Sequence, residues 1–441
     1  MINLRKAGMI VAILSISSIV AAGCGNNAKE EGTAPAPTKA ATPEKPKDPV
    51  TLTMLGYKLS LSDEDFEKYI AKPVRDKYPH ITMKLDWTDP VQLAATNVSA
   101  DIFYTAYTRY SALVDLDIPS DMAALVKANN LDLNKYSKPM MDWIRGVGPK
   151  GEIYGLPFDF NHWGMFYNKD LFDKRGVAYP KDGLTWDDVL ELNKKLTFQD
   201  GGVQYRGIIP VNLEGLSRVR STVWVDPNTN KALVDTPSNK AIFELFRSFY
   251  KVPGMIVNNE YPAKGADFIK DGTVAMNVNW ISDTAVAIAA NKSSLNFDLA
   301  SSPTYKDLPN TTIDGGPKMM GIFKTSKNKE DAFKVMQLLS TTEIQTAINR
   351  VGRLTALADE NIRKDFGVDI PVLKGKNIQG ALKVQPSKMA PPNPYTLTVL
   401  GKLGGAMTDL ALDRKDINTI MREYQEIADK AIQDEMSAKK K

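Results

Sequence analysis

The chain has 441 residues, with 56 Lys plus Arg against 52 Asp plus Glu, two histidines and one cysteine. At about 150 residues per domain this length holds two or three domains and can bury sizeable cores. One cysteine permits no internal disulfide and no thiolate zinc site, and two histidines leave little material for His-ligated metal or His-dependent nucleophilic catalysis. The net charge of +4 is weak for the length and has to be located before it bears on nucleic acid.

Residues 1–23 read as an export signal. Arg5 and Lys6 precede a run of mostly apolar residues from Ala7 to Ala22, too short for the roughly twenty that span a bilayer. Residues 24–49 hold five prolines and no Val, Ile, Leu, Met or aromatic residue, so they behave as a solvated tether reaching at most roughly 80 Å. Of the 56 basic residues, removing Arg5 and Lys6 leaves 54 against 52. Setting aside Lys439, Lys440 and Lys441 as well leaves the body one unit acidic, and nothing in the charge argues for nucleic acid.

From Val50 the pattern alternates between strand and helix. Val50–Leu55 predicts a strand, and Ser62-Asp-Glu-Asp65 a cap leading into Phe66, Tyr69, Ile70 and Val74 at helical spacing. Ile81, Met83, Leu85 and Trp87 alternate as a strand, and Ile102–Thr105 gives another, so a mainly parallel sheet covered by helices is expected. Thr185-Trp-Asp-Asp188 caps a helix with Val189, Leu190 and Leu196 inward. Further apolar stripes follow at Ile242–Tyr250, at Ala332–Leu339, and at Ile417, Ile420, Met421, Tyr424, Ile427 and Ile432. Trp87, Trp143, Trp186 and Trp224 read as core or surface.

Catalytic and nucleotide motifs are absent: no H-E-x-x-H, G-x-S-x-G, Walker A or G-x-G-x-x-G. Ser326-Lys-Asn-Lys329 matches S-x-x-K only formally, because Asn328 and Asp331 look like the start of a helix. Neither His80 nor His162 has a partner at metal spacing. Carboxylate pairs of glycosidase type are a three-dimensional matter that sequence leaves open.

Two resemblances add to this. Ala21-Ala22-Gly23-Cys24 resembles a bacterial lipobox, with Ala21 where Leu is usual. It implies cleavage before Cys24 and a lipid anchor on it, palmitate included. The stretch Ile153–Phe172, running Tyr-Gly-Leu-Pro-Phe-Asp-Phe-Asn-His-Trp-Gly-Met-Phe-Tyr-Asn-Lys-Asp and followed by Leu184-Thr-Trp-Asp-Asp-Val189, is similar to the signature of extracellular solute-binding proteins, family 1, which resemble maltose-binding protein. Phe268–Met276 with Asn279-Trp280, Gly315–Phe323 with Ser326-Lys-Asn, and Gly352-Arg-Leu-Thr-Ala356 fit the same family. The connection from Trp87 to Asp101 is shorter than the helix relatives often carry there.

The family resemblance implies an α/β, two-lobed periplasmic-binding-protein fold, type II-like, with a ligand cleft between lobes joined by hinge crossovers. Residues 50–157 and 315–385 would form the first lobe, and 158–314 and 386–441 the second. It further implies a monomeric, non-enzymatic receptor with no cofactor or metal, held at the extracytoplasmic face of the cell membrane, that delivers a carbohydrate, most readily an oligosaccharide, to an ABC importer permease. A non-sugar solute receptor, a surface glycan hydrolase and a structural lipoprotein stay open as alternatives. A sugar needs aromatic faces for its C–H surface and planar polar groups for its hydroxyls. Loops after the predicted strands offer Tyr57 and Lys58; Tyr107 and Arg109; Asp159, Asn161, His162 and Trp163; Trp280 and Asp283; Arg353; and Tyr395. In relatives, the position of Trp280 commonly carries a stacking tryptophan.

Overall fold

The computed structural model describes residues 48–56, 61–88, 100–209, 211–261 and 267–439. The export signal, Cys24, the tether, Tyr57, Lys58 and most of the Trp87–Asp101 connection lie outside the described residues. Two mixed sheets organise the chain.

The first sheet has the order β12-β4-β11-β3-β1-β2, built from β1 (Val50–Gly56), β2 (Ile81–Asp86), β3 (Ile102–Ala106), β4 (Leu156–Phe160), β11 (Lys318–Ile322) and β12 (Leu354–Thr355). The second has the order β6-β7-β8-β5-β9, from β5 (Trp163–Asn168), β6 (Phe198–Asp200), β7 (Val203–Ile209), β8 (Val274–Trp280) and β9 (Phe297–Ser301). Parallel pairing holds for β1 with β2 and β3 and for β7 with β8, as the β-α-β order predicts. The expectation of a mainly parallel sheet fails for the rest. β11 runs antiparallel to β3 and β4, and β5 antiparallel to β8 and β9, because strands that carry the chain from one sheet to the other enter from the opposite end.

Only residues 161 and 162 separate β4 in one sheet from β5 in the other. The chain returns between β9 and β11 and leaves again after β12. There Phe366, Leu373, Ile378 and Ala381 bury against Phe166 and Leu299 of the second sheet, so this stretch, expected with the first lobe, packs on the other side. A short parallel ladder of β10 (Thr311–Thr312) with β13 (Gln385–Pro386) ties two of the connecting segments together.

Local chemistry explains the elements that position the cleft. The Ser62 hydroxyl accepts from Asp65 N at 3.0 Å and starts the helical run that buries Phe66, Tyr69, Ile70 and Val74. Thr185 and Asp188 form a reciprocal capping box ahead of the helix Trp186–Leu196. Ser326 donates to the buried Asp101 carboxylate at 2.7 Å and accepts from Asn328 N, so it anchors the start of the helix Lys329–Leu339 and has no nucleophile's surroundings. Along the helix Ile417–Lys439 the inward seam runs through Ile417, Ile420, Met421, Ala428 and Ile432. Ile427, expected inward, is exposed because the 3.6-residue period carries the buried seam to its neighbour. No helix among the described residues is long and apolar enough to cross a membrane.

Candidate functional site

The carboxyl ends of β3 and β4 on one side and of β5's partner β8 on the other bring side chains to a common cleft, the place where open α/β sheets hold ligands. Its polar floor is built on Asp159. Asp159 is wholly buried at the end of β4 and accepts from the Tyr104 hydroxyl, from Lys318 Nζ at 3.1 Å and from Arg353 Nη1 at 3.3 Å. Arg353 also lies 3.6 Å from Asp65. Burial by itself would lower the Arg353 pKa, but Tyr104, Asp159 and Asp65 together hold it above its ordinary value. The guanidinium therefore stays charged and fixed.

Above this floor lies a cavity of about 430 Å³ lined from both sheets: Ser62, Asp65, Lys318 and Arg353 from the first, Ser282 and Asp283 from the first turn of the helix Ile281–Ala290 that follows β8. Asn161, in the two-residue link, lines it too, and its side-chain oxygen accepts from Ser282 Oγ at 3.2 Å. The Gly352 carbonyl shares that same hydroxyl proton, so the link, the second sheet's helix and the loop before β12 meet at one point. Asp283 stands at the rim, its side chain reached by solvent yet surrounded by the cleft walls. Desolvation by those walls raises its pKa, with Lys318 and Arg353 opposing and Asp159 adding to the rise.

An adjoining groove of about 350 Å³ is lined by Trp163, Trp280, Asn212, Glu214 and Arg218. Trp163 and Trp280 face each other across the paired strands β5 and β8, edge to face at 5.6 Å between ring centroids. Gly215 is required beneath them, because an added Cβ would lie 2.4 Å from Trp163 Cη2. Gly316, at φ +52°, passes Trp280 with somewhat more room, an added Cβ meeting its ring at 3.0 Å. The Trp163 indole N–H has no acceptor among the described residues.

Arg218 closes one end. Its Nε donates to Asp314 Oδ2 at 3.1 Å and its Nη2 to Asp314 Oδ1, a two-pronged pair. Asp314 also accepts from the Tyr107 hydroxyl at 2.5 Å and from Gly316 N at 3.1 Å. Burial opposes the Arg218 charge, yet Asp314 and Tyr107 raise its pKa well above the usual range; the Tyr107 phenol is pushed up by burial and by Asp314.

Of the residues singled out in the sequence, Asp159, Asn161, Asp283 and Arg353 gather at the larger cavity, Trp163 and Trp280 at the aromatic groove, and Tyr107 at its closed end. Three are not brought to these cavities. His162 is fully buried in the link, its Nε2 3.1 Å from the Ala381 carbonyl oxygen. Burial first and Arg363 second depress its pKa to about 4, so it is a neutral packing group. Tyr395 is 9% exposed within the second core, while its neighbours Asn393 and Thr396 line the small cavity beside Tyr107. Arg109 is half-buried on the helix Tyr107–Asp115 and lines none of these cavities. Sequence reasoning missed Arg218, Asp314, Lys318 and Ser282. Asp314 and Lys318 flank the Gly315-Gly316 pair already noted in the sequence, whereas Arg218 belongs to no motif.

Two α/β lobes, joined by several chain crossings and offering aromatic and charged side chains to the cleft between them, are the architecture of solute receptors that enclose a small molecule. Solved structures share it. The ABC substrate-binding protein of Listeria monocytogenes in complex with cycloalternan superposes with a TM-score of 0.71 at 17% identity, covering 87% of this chain and 99% of that one. The sugar-binding protein MalE from the phytopathogen Xanthomonas citri gives a TM-score of 0.67 at 15% identity over 89% of this chain and 100% of that one. The lactose-binding protein of Rhizobium radiobacter is 31% identical over 85 residues, 19% of this chain and only 19% of that protein's length. Residues 63–346 match the family model for the bacterial extracellular solute-binding proteins, and the chain belongs to that family.

Proposed function

We propose that this protein is a carbohydrate receptor, with an oligosaccharide as its ligand, that closes its lobes on the sugar and delivers it to an ABC importer permease. The observation that carries the reading is the pairing of two chemistries in one cleft. The face of Trp280, backed by the buried Trp163, suits the C–H surface of a pyranose, and Asn161, Asp283, Lys318 and Arg353 present acceptors and donors for its hydroxyls. The related structures with bound cycloalternan and mannotriose support the same ligand class.

In this reading the first lobe comprises most of 50–157 and 315–365, and the second the remainder from 163 on. They rotate about the link 161–162 and the segment near Gly315-Gly316. The ligand shifts the balance toward the closed form because only there do both lobes touch it, and it must bind that form more tightly. The protein works as a monomer and holds its ligand without transforming it. Cys24 carries acyl chains that keep the receptor on the extracytoplasmic face of the cell membrane. Each buried methylene contributes about 0.8 kcal/mol, so two or three chains suffice.

Tryptophan fluorescence and thermal melting against a panel of mono- and oligosaccharides test the reading. A saturable shift with the sugar recovered unchanged by chromatography is expected. Product formation would show a hydrolase, and silence across the panel would favour a non-sugar solute. Membrane fractionation of Cys24→Ala tests the anchor, with release into the soluble fraction expected and retention refuting it.

A further inference from the structure

The aromatic groove ends at a wall one side chain thick. Glu214 and Arg218 line both the 350 Å³ groove of Trp163 and Trp280 and, behind it, a second cavity of about 60 Å³ bounded by Tyr107, Trp143 and Trp224. The Arg218 guanidinium lies between the two spaces, 5.7 Å from the centroid of the Trp280 ring on one side and 5.3 Å from that of Tyr107 on the other. Its place is fixed. Asp314 grips it with both oxygens while accepting from the Tyr107 hydroxyl and Gly316 N, and Glu214 adds a longer contact at 3.6 Å. At about 60 Å³ the rear cavity has room for a few waters, each needing on the order of 10–15 Å³, and none for a sugar ring. Its walls are nevertheless of the kind that bind sugars: the faces and edges of Tyr107 and Trp143, which meet at 5.4 Å, with the Trp143 N–H held back by the Ala390 carbonyl at 2.9 Å.

We infer that Arg218, clamped by Asp314, is the specificity-determining end wall of the ligand groove. It halts the saccharide beside Trp280 and denies the next unit the aromatic cavity at Tyr107 and Trp143, and so sets how long a chain the receptor accepts. The inference rests on the carbohydrate reading above. A neutral short side chain at 218 joins the two spaces, provided Asp314 is neutralised with it so that no buried charge stays unpaired.

The test is titration calorimetry with a series of oligosaccharides, two to seven units long, of the linkage that the wild-type protein binds. For the wild type, affinity is expected to stop rising at one length. The double variant Arg218→Ala/Asp314→Asn should gain at least tenfold for the next longer unit relative to that length, while Arg218→Met/Asp314→Asn, which keeps the bulk and loses the charge, should keep the wild-type cut-off. Circular dichroism establishes that each variant is folded. If the alanine double variant does not fold, Arg218→Ser/Asp314→Asn shortens the wall in the same way with a polar group left at 218, and a shift of the cut-off is expected there too. A folded variant with a shortened wall and an unchanged cut-off overturns the inference alone. Failure of the wild type to bind any saccharide overturns the carbohydrate reading and the end wall with it.

Discussion

Replacing Asp159 separates the charge it carries from the space it fills. Its carboxylate is fully enclosed and is the common partner of the Tyr104 hydroxyl, Lys318 and Arg353, whose cationic side chains are themselves only 16% and 10% exposed. Asp159→Ala leaves two nearly dry cations without their counter-charge. Removing one partner of a buried pair costs about 3–5 kcal/mol, and Arg353 recovers only part of that from Asp65 at 3.6 Å. With an unfolding entropy of about 2.1 cal/mol/K per residue over roughly 390 folded residues, 1 kcal/mol corresponds to a little over 1 °C, so Asp159→Ala should lower Tm by about 4–6 °C. Asp159→Asn keeps the shape and an acceptor for Tyr104 and should lose less. Asp159→Leu with Lys318→Met removes one opposed pair together and should restore part of the loss, the remainder being the cost of leaving Arg353 with Asp65 alone. Scanning calorimetry of the four proteins decides the matter. An Asp159→Ala protein that melts within about 1 °C of the wild type would show that water already screens the two cations, and the account of a dry ionic floor would be wrong.

Three further outcomes follow from the same geometry. Because burial holds His162 neutral with a pKa of about 4 against 6.5 in a free chain, the unfolded state takes up the proton first. Stability is then fully present above pH 6.5 and is lost between there and pH 4, by about 3 kcal/mol. His162→Gln should remove that loss, seen as a smaller drop in urea-unfolding free energy between pH 7 and pH 4, and an unchanged drop would refute the assignment. For Asp283 the sign is opposite. Its pKa is raised in the folded protein, so folding favours the protonated carboxyl and stability falls as pH rises through that window. Asp283→Asn should melt slightly higher at pH 7 and match the wild type near pH 3, and the reverse order would contradict it. Trp280→Ala should weaken sugar binding. Covering about 60–80 Å² of its ring at about 25 cal/mol/Å² contributes roughly 1.5–2 kcal/mol, a 10–30-fold change in Kd. Trp87→Ala, on a residue 45% exposed beside Gly56, should leave Kd unchanged; equal losses from both would disprove the placement of the stack.

The parts of the molecule that a sequence reveals are those fixed by periodicity and by local capping. The alternation of Ile81, Met83 and Leu85 fixes which face of β2 is buried, and Ser62 and Thr185 fix where helices begin, because each depends on residues within one turn of the chain. The site is most legible where a strand's end delivers a side chain directly, as with Asp159 at the end of β4 and Trp280 at the end of β8, or in the turn just beyond, as with Asp283. His162 fails for the same geometric reason that its neighbours succeed. In the extended stretch Asp159–Trp163 successive side chains alternate in direction, so Asn161 and Trp163 line the cleft while His162 turns to the opposite face and meets Ala381. Arg218 is illegible for another reason. Its role depends on Asp314, 96 residues later, and on Tyr107, more than a hundred residues earlier, and no local pattern records a three-body contact across both lobes. Ligand class can thus be proposed from single residues at strand ends, whereas the proposed limit on ligand length rests on pairs such as Arg218 and Asp314 that only the folded chain brings together.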